Sequence, residues 1–267
     1  MFKFQNIYIV YIFLTNICWG QDDFLQTKPD YLQTCKLADP EFTKCSTKTV
    51  QQLFTLLVEG IEEVKNLLPS IDPLSIDEIR LLQGNGPVSI NATLTDVTVR
   101  GFDKVKVIES QVNSKDFSWI TTLFLPKMRI DAQYDLKGKI LIIPLVGHGS
   151  LWLEPVNMRV VMNAKTRLYE KGGHTFYNVT ETKIDYELTG LKLRLNNLFD
   201  GLKALEESTN KFMNDNWKLA SDSLKPIIAK TIEDIMLDLL QKVFHFLPAD
   251  YIVTDIPKPR DVYGQDY

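Results

Sequence analysis

The sequence lacks the residue clusters that metal sites and most enzyme active sites require. Its 267 residues include three histidines and three cysteines, and His148, His174 and His245 are too scattered to form a metal site. It contains no G-x-S-x-G elbow, no H-E-x-x-H, no P-loop and no G-x-G-x-x-G motif. The glutamate pairs Glu62–Glu63 and Glu206–Glu207 lie on predicted helices and are expected to face solvent. The sequence therefore predicts neither an enzyme nor a metal or cofactor site.

Long apolar runs are also missing, apart from a short one at the start of the chain. Lys3 precedes the apolar run Ile7–Leu14, and the small residues Cys18 and Gly20 follow it. This order is typical of a secretory signal peptide, which we assign to residues 1–20. The run is too short to span a bilayer, and no other run approaches the required length. We expect a secreted protein of the extracellular fluid without stable membrane insertion.

An excess of positive charge is absent as well. The chain has 30 lysines and arginines against 34 aspartates and glutamates, a formal net charge of −4. Cleavage of the signal peptide removes Lys3 and leaves 29 against 34, or −5. Since the basic residues form no cluster, nucleic acid and anionic membranes are not expected as partners. We expect a monomer.

The chain has so few cysteines that their pairing can be predicted. Cys35 and Cys45 are the two that remain after cleavage, and thiols of secreted proteins are usually oxidised. A disulfide between them would contribute about 2–3 kcal/mol by the chain-entropy model. Two free thiols are the alternative.

Two sequons predict N-glycosylation at Asn91 and Asn178. They read Asn-Ala-Thr and Asn-Val-Thr, and both lie in strand-like runs. A glycosylated residue on a strand must face solvent, so the sequons also predict which side of each strand is exposed. The alternative is that one or both sequons are unused.

The longest regular pattern lies near the end of the chain. Over Phe199–Leu247 apolar residues recur at i, i+3, i+4 and i+7, which predicts a helix on the order of 70 Å long. Asp200 is the expected N-cap and Pro248 the end. Pro226 should kink the helix near Asp222. We expect one bent helix, with a coiled-coil strand as the alternative.

A second helical pattern precedes a long region of two-residue period. The stripe Val50–Leu68 predicts an amphipathic helix that Thr47 caps and Pro69 ends. Over Pro87–Leu195 apolar and polar residues alternate between glycines, as in antiparallel strands with short connections.

These patterns together predict an α+β fold. Long antiparallel strands twist and coil, so we expect a strongly curved antiparallel β-sheet (a super-roll) wrapped around the long, bent C-terminal helix, with an N-terminal amphipathic helix beside it. Helix and sheet each lack another partner, which predicts a single domain over residues 21–250. Residues 251–267 are expected to form a loose C-terminal tail.

The excess of apolar residues over so elongated a fold suggests a ligand cavity between the sheet and the last helix. Pocket and core use the same residue types, so either role stays open for each residue. Tyr134 has a hydroxyl that could orient a polar ligand end or satisfy a strand carbonyl. The candidate lining residues point inward from both layers: Trp119, Leu125, Tyr134, Leu141, Ile143, Trp152, Phe212 and Ile235.

Four segments carry a resemblance to a known family. They are the early cysteine pair, the proline-bracketed Leu67–Ile76, the hairpin Tyr134–Gly149 with the pattern Y-x-x-x-G-x-x-L-x-x-P-x-x-G-x-G, and Leu195–Trp217 with the elements N-L-F-x-G and N-x-x-x-N-x-N-W. In these the chain resembles the takeout and juvenile hormone-binding family of secreted insect proteins. The resemblance covers nearly all of the mature chain, to about Leu247.

The resemblance implies a long helix wrapped by a curved sheet that encloses a tunnel for a lipophilic ligand. Hormone carriers of the family have a second disulfide, which this sequence cannot form, so it is more similar to the takeout branch. The implied function is a carrier of a small elongated hydrophobic ligand, such as a terpenoid, a juvenile hormone-like molecule, a fatty acid or an odorant. Circadian, feeding and chemosensory roles are implied. The alternative is a membrane-active lipid-transfer protein of related architecture.

Overall fold

The computed structural model describes residues 24–60, 70–84, 88–140 and 143–264. Within these ranges an eight-stranded antiparallel sheet, which does not close on itself, lies against a long C-terminal helix and a shorter N-terminal helix. The predicted α+β class is therefore confirmed. The helices are α1 (Phe42–Glu59), α2 (Lys203–Asp215), α3 (Trp217–Phe246) and the short α4 (Pro259–Tyr263).

The strands follow the predicted two-residue period, and one further strand precedes them. That strand, β1, lies before Pro87, where the predicted alternation begins. Its partner β2 pairs with it throughout its length. The strands are β1 (Leu74–Gln83), β2 (Val88–Arg100), β3 (Lys106–Val112), β4 (Trp119–Lys127), β5 (Arg129–Ile140), β6 (Ile143–Lys171), β7 (His174–Glu187) and β8 (Gly190–Leu195).

The 29-residue strand β6 is the centre of the sheet. β5 and β4 follow one another along one edge of β6, and β8 and β7 follow one another along the other edge. The break between β5 and β4 on one edge and the break between β8 and β7 on the other edge both fall beside Pro155. Pro155 has no N–H to donate. Met128 N–H donates to Pro155 O over 3.1 Å, and Thr189 N–H donates to Val156 O over 3.0 Å. β1 and β2 extend the sheet beyond β5, and β3 extends it beyond β4.

The Gly147–Gly149 segment lies within β6. The glycines are needed because residues 196–198 cross the strand in close contact. A Cβ at Gly149 would lie 2.4 Å from Asn196 O, and one at Gly147 would lie 2.8 Å from Asn197 O. His148 between them is exposed.

The C-terminal helix is interrupted earlier than the sequence predicted. Pro226 lies inside α3, and the interruption is at Asn216, between α2 and α3. Two side chains of α2 explain this position because they bind the free edge of β8. Asn210 Oδ1 and Nδ2 bond to Leu195 N–H and C=O over 2.9 Å each, and Asn214 bonds to Leu193 in the same way over 3.0 and 2.8 Å. The helix is interrupted after this contact, and the chain continues as α3.

The start of the apolar stripe also differs from the prediction. Asp200 caps no helix, because α2 begins three residues later and Asp200 has a positive φ of 54°. Leu202 and Leu205 are 63% and 46% exposed. Phe212 packs against the core that α2 covers, and Trp217 is half-buried.

α1 begins at Phe42, so Thr47 lies inside the helix rather than capping it. Its hydroxyl donates to Thr43 O over 2.7 Å and accepts from Ser110 N–H of β3 over 3.0 Å. The apolar positions beyond residue 60 that the stripe included lie in 61–69, outside the described residues.

The segment after α3 is packed into the core rather than forming a loose tail. Tyr251, Ile252, Val253 and Ile256 are buried. Backbone hydrogen bonds join this segment to the disulfide region, because Cys35 N–H donates to Ile252 O over 2.8 Å and Cys35 O accepts from residue 254 over 2.9 Å. Apolar side chains and a strand-like contact thus hold it.

Candidate ligand-binding site

A cavity lies between α1, the C-terminal half of α3 and the sheet. It contains about 870 Å³ of empty space, its open mouth included. Strands β3, β4, β6 and β7 contribute to its wall, and the disulfide residue Cys35 and the segment Ile252–Val253 close one side. The part of this space that a water-sized sphere can occupy with its centre is about 90 Å³.

One wall of the cavity is the apolar face of α1. Val50, Leu53, Phe54 and Leu57 line it at the helical spacing i, i+3, i+4, i+7. This stripe was visible in the sequence, but its role in a cavity was not, because the long helix alone was expected to fill the sheet.

α1 is held near its start by the disulfide and in its middle by hydrogen bonds to the sheet. Cys45 on its first turns forms a disulfide with Cys35, as predicted. In the middle, Gln51 Nε2 donates to Val105 O over 3.2 Å, and Gln51 Oε1 accepts from Val107 N–H over 2.8 Å. These bonds satisfy backbone groups at the free edge of β3.

The opposite wall combines α3 with three aromatic rings. Trp119 of β4, Tyr177 of β7 and Phe244 of α3 meet edge to face, with ring centroids 4.4 to 5.8 Å apart. Met236 and Leu240 continue the same face of α3 along the cavity. The result is a rigid apolar wall.

No charged side chain of the described residues lines the cavity. Most of its polar groups are satisfied within the protein. Thr49 Oγ1 bonds to Cys45 O over 3.2 Å, and the hydroxyls of Ser110 and Thr121 bond to each other over 3.1 Å. Trp119 Nε1 and Tyr177 Oη are buried, and neither atom has a hydrogen-bond partner of good geometry among the described residues. Burial raises the pKa of the Tyr177 phenol far above its usual range.

The structure places one predicted lining residue, Trp119, in this cavity. Tyr134, Ile143 and Phe212 belong to a second apolar cluster under α2, and Leu125 belongs to a third. Of the other three, Trp152 has the Arg129 guanidinium 4.6 Å from its ring centre. Ile235 is half-buried on α3, and Leu141 lies outside the described residues.

Tyr134 satisfies a backbone carbonyl, the second of its two predicted roles. Its hydroxyl donates to Asn196 O over 2.8 Å. Burial, with a contribution from the Glu206 carboxylate, raises the pKa of Tyr134 to about 12. It therefore fixes the segment that crosses β6 and lies apart from the cavity.

Sequence reasoning missed the α1 wall and the closing residues Ile252 and Val253. The apolar character of 252–256 was a usable signal, since a solvated tail rarely contains such a group. None of the described helices is both long and apolar enough to cross a membrane.

Comparison with known proteins places the chain in a family. Residues 10–254 match the family model described as haemolymph juvenile hormone binding protein. The chain is 26% identical to "Circadian clock-controlled protein daywake" of Drosophila melanogaster over 254 residues, which is 92% of this chain and 95% of that protein. The daywake protein of Drosophila yakuba is 26% identical over 236 residues, 85% of this chain and 89% of that protein.

A solved structure has the same fold. The crystal structure of Epiphyas postvittana Takeout 1 superposes with a TM-score of 0.73 at 19% identity, over 84% of this chain and all of that one. The family model spans most of the sequence, including both cysteines, the crossing segment and the residues that enclose the cavity. The chain therefore belongs to the takeout and haemolymph juvenile hormone-binding protein family.

Proposed function

We propose that this protein is a secreted carrier that holds a small, elongated apolar molecule in the cavity between α1, α3 and the sheet. The observation that carries the proposal is an apolar cavity with no charged side chain among its described lining residues. Burial of ligand surface, at about 25 cal/mol per Å², supplies affinity without any catalytic group.

Several ligand classes fit this proposal. Terpenoids, juvenile hormone-like molecules, fatty acids and odorants all combine an apolar body with a small polar end. The name of the Drosophila melanogaster relative describes circadian clock control, which supports a role in daily physiology for this chain too. The predicted signal peptide, and a family named for haemolymph, support delivery through extracellular fluid.

A membrane-active lipid-transfer protein is less well supported. Such a protein would need a surface that attracts anionic lipid, and the net charge of −4 opposes that attraction. The carrier acts by binding and release, without a catalytic step.

The test is to fill the cavity from the α1 wall. Leu53→Trp places a large ring where the ligand would lie, whereas Leu205→Trp adds the same ring at an exposed position of α2. Binding of a fluorescent apolar probe such as N-phenyl-1-naphthylamine should weaken about ten-fold or more in Leu53→Trp, a loss of about 1.4 kcal/mol. The Leu205→Trp control should bind normally.

Two further properties of probe binding follow from apolar burial. The affinity should hardly depend on salt, because no charge pairing is involved, and the heat-capacity change should be negative. Equal probe affinity in the native protein and Leu53→Trp would refute the cavity as the binding site. Mass spectrometry of protein purified from the animal would then identify what, if anything, it carries.

A further inference from the structure

Four strands lie at the edges of the described sheet, because each of them pairs with a single neighbour: β1, β3, β7 and β8. The backbone groups along such an edge can pair with a further strand unless something covers them. α1 covers β3 through hydrogen bonds from Gln51 and Thr47. α2 covers β8 through hydrogen bonds from Asn210 and Asn214.

α3 covers the edge of β7 in the same way. Glu233 Oε1 accepts from Ile184 N–H over 3.1 Å, and Gln241 Nε2 donates to Val179 O over 2.9 Å. Glu233 is buried at this contact. Each of the helices α1, α2 and α3 therefore closes one edge of the sheet with polar side chains.

β1 is the fourth edge strand, and no such side chain closes it. Apart from its ladder with β2, its backbone makes no hydrogen bond within the described part of the chain. The middle of β1 carries the exposed charges Asp77, Glu78 and Arg80, which discourage the pairing of edges. Near its end lies Leu82, which at 76% exposure is the most exposed large apolar side chain of the described residues. An exposed leucine at an open edge favours association with another strand.

The first predicted glycosylation site lies directly opposite this leucine. Asn91 of β2 pairs with Leu82 in the ladder, and its side chain is exposed. Residues directly opposite one another in an antiparallel pair point to the same face, with Cβ atoms about 4.5–5.5 Å apart. A glycan on Asn91 Nδ2 would therefore begin beside the leucine. The C–H groups of its first sugar and the methyl of the N-acetyl group are apolar and can pack on that side chain.

We infer that an N-glycan on Asn91 covers the edge of β1: it packs over Leu82 and keeps the strand from pairing with β1 of a second copy. The second sequon lies in different surroundings. Asn178 is opposite Arg167, and α3 already closes the edge of its strand. The inference does not depend on the proposed carrier function, because neither Leu82 nor Asn91 lines the cavity.

The experiment compares the native protein with Asn91→Gln and the matched control Asn178→Gln, all secreted from insect cells. Mass spectrometry of glycopeptides establishes which sites carry a glycan, and light scattering after size-exclusion chromatography measures the molar mass over a range of protein concentrations. The native protein and Asn178→Gln should stay monomeric. Asn91→Gln should self-associate at a protein concentration about ten-fold or more lower, which is the gain expected from burying a leucine.

A second variant identifies the surface that associates. Leu82→Ser added to Asn91→Gln removes the apolar side chain and should restore the monomer. Hydrogen exchange of the β1 amides should be slower in associated Asn91→Gln than in the native monomer. Enzymatic removal of the remaining glycan from folded Asn178→Gln should reproduce the association, so the comparison does not depend on the folding of a variant that lacks the Asn91 glycan.

Several results would overturn the inference. A native protein without a glycan at Asn91 has no such cover. A monomer at every concentration, in both Asn91→Gln and deglycosylated Asn178→Gln, would show that the edge needs none. Equal association of fully glycosylated Asn178→Gln would indicate a general effect of glycans on solubility, and association that Leu82→Ser does not reverse would place the contact elsewhere. Binding of the apolar probe should be unchanged in Asn91→Gln, so each of these results leaves the carrier proposal standing.

Discussion

Gln51→Leu tests how much one side chain contributes to holding α1 against the sheet. The substitution keeps helix propensity almost constant but leaves Val107 N–H and Val105 C=O at the edge of β3 without their partner. Two hydrogen bonds at about 0.5–1.5 kcal/mol each give an expected loss of about 1–3 kcal/mol in the free energy of unfolding. Urea denaturation at constant m-value measures that loss.

The same substitution should change the cavity, because α1 is one of its walls. We expect faster hydrogen exchange in α1 and faster dissociation of an apolar probe. Thr55→Ala is the matched control, since Thr55 lies one turn further along, is exposed, and bonds only to Gln51 O of its own helix. If Gln51→Leu loses less than about 0.5 kcal/mol and leaves α1 exchange unaltered, the other contacts of α1 hold it without Gln51 and the reasoning fails.

Three other predictions concern parts of the fold outside the cavity. Asn210→Leu should lower the free energy of unfolding by about 1–3 kcal/mol, because it leaves the N–H and C=O of Leu195 unpaired. A loss of unfolding free energy as small as that of an exposed asparagine substitution would contradict this prediction. Asp255 accepts N–H donors from residues 37 and 38 over 2.6 and 2.9 Å. Although its burial opposes the shift, these donors lower its pKa below 3.8. The native protein should therefore have a higher free energy of unfolding than Asp255→Asn, with the full difference above about pH 5 and a smaller one as the pH falls through that lowered pKa. A difference in the free energy of unfolding that does not change with pH would refute this prediction. Asn91 and Asn178 are exposed on their strands. Glycosidase treatment of protein produced in insect cells should therefore remove a glycan from each site and lower the mass of the protein. A protein that has the mass of the bare chain before treatment would show that the sequons are unused.

The sequence predicts elements well where a local period specifies them. The apolar and polar alternation in the middle of the chain corresponds to strands, and the apolar stripes at helical spacing on either side of it correspond to helices. The interruption of the C-terminal helix was misplaced because its cause is tertiary. Asn210 and Asn214 reach the edge of β8, and no local rule shows that an asparagine on a helix will bind a strand. Pro226, the local signal, is accommodated inside α3.

Strand β4 shows why the cavity was beyond sequence reasoning. One face of the strand carries every second residue, and periodicity predicts the same inward orientation for all of them. These residues are Trp119, Thr121, Leu123 and Leu125. In the fold the first two line the cavity, and the last two belong to a filled apolar cluster. The difference arises from what lies opposite each residue. Only the assembled positions of α1 and α3 decide whether an inward side chain meets another side chain or open space.

The cavity persists because the anchors of α1 do not depend on what fills it. The disulfide holds the first turns, Gln51 holds the middle, and at the far end Ser70 Oγ donates to Val58 O over 2.6 Å. A wall fixed by covalent and polar contacts need not collapse when its apolar face lacks a partner, so the empty space is retained. A ligand of the proposed kind would then add apolar contacts to a site that is already formed. A ligand at 100 times its dissociation constant should therefore stabilise the protein by about 2.7 kcal/mol, with little change in the backbone of α1.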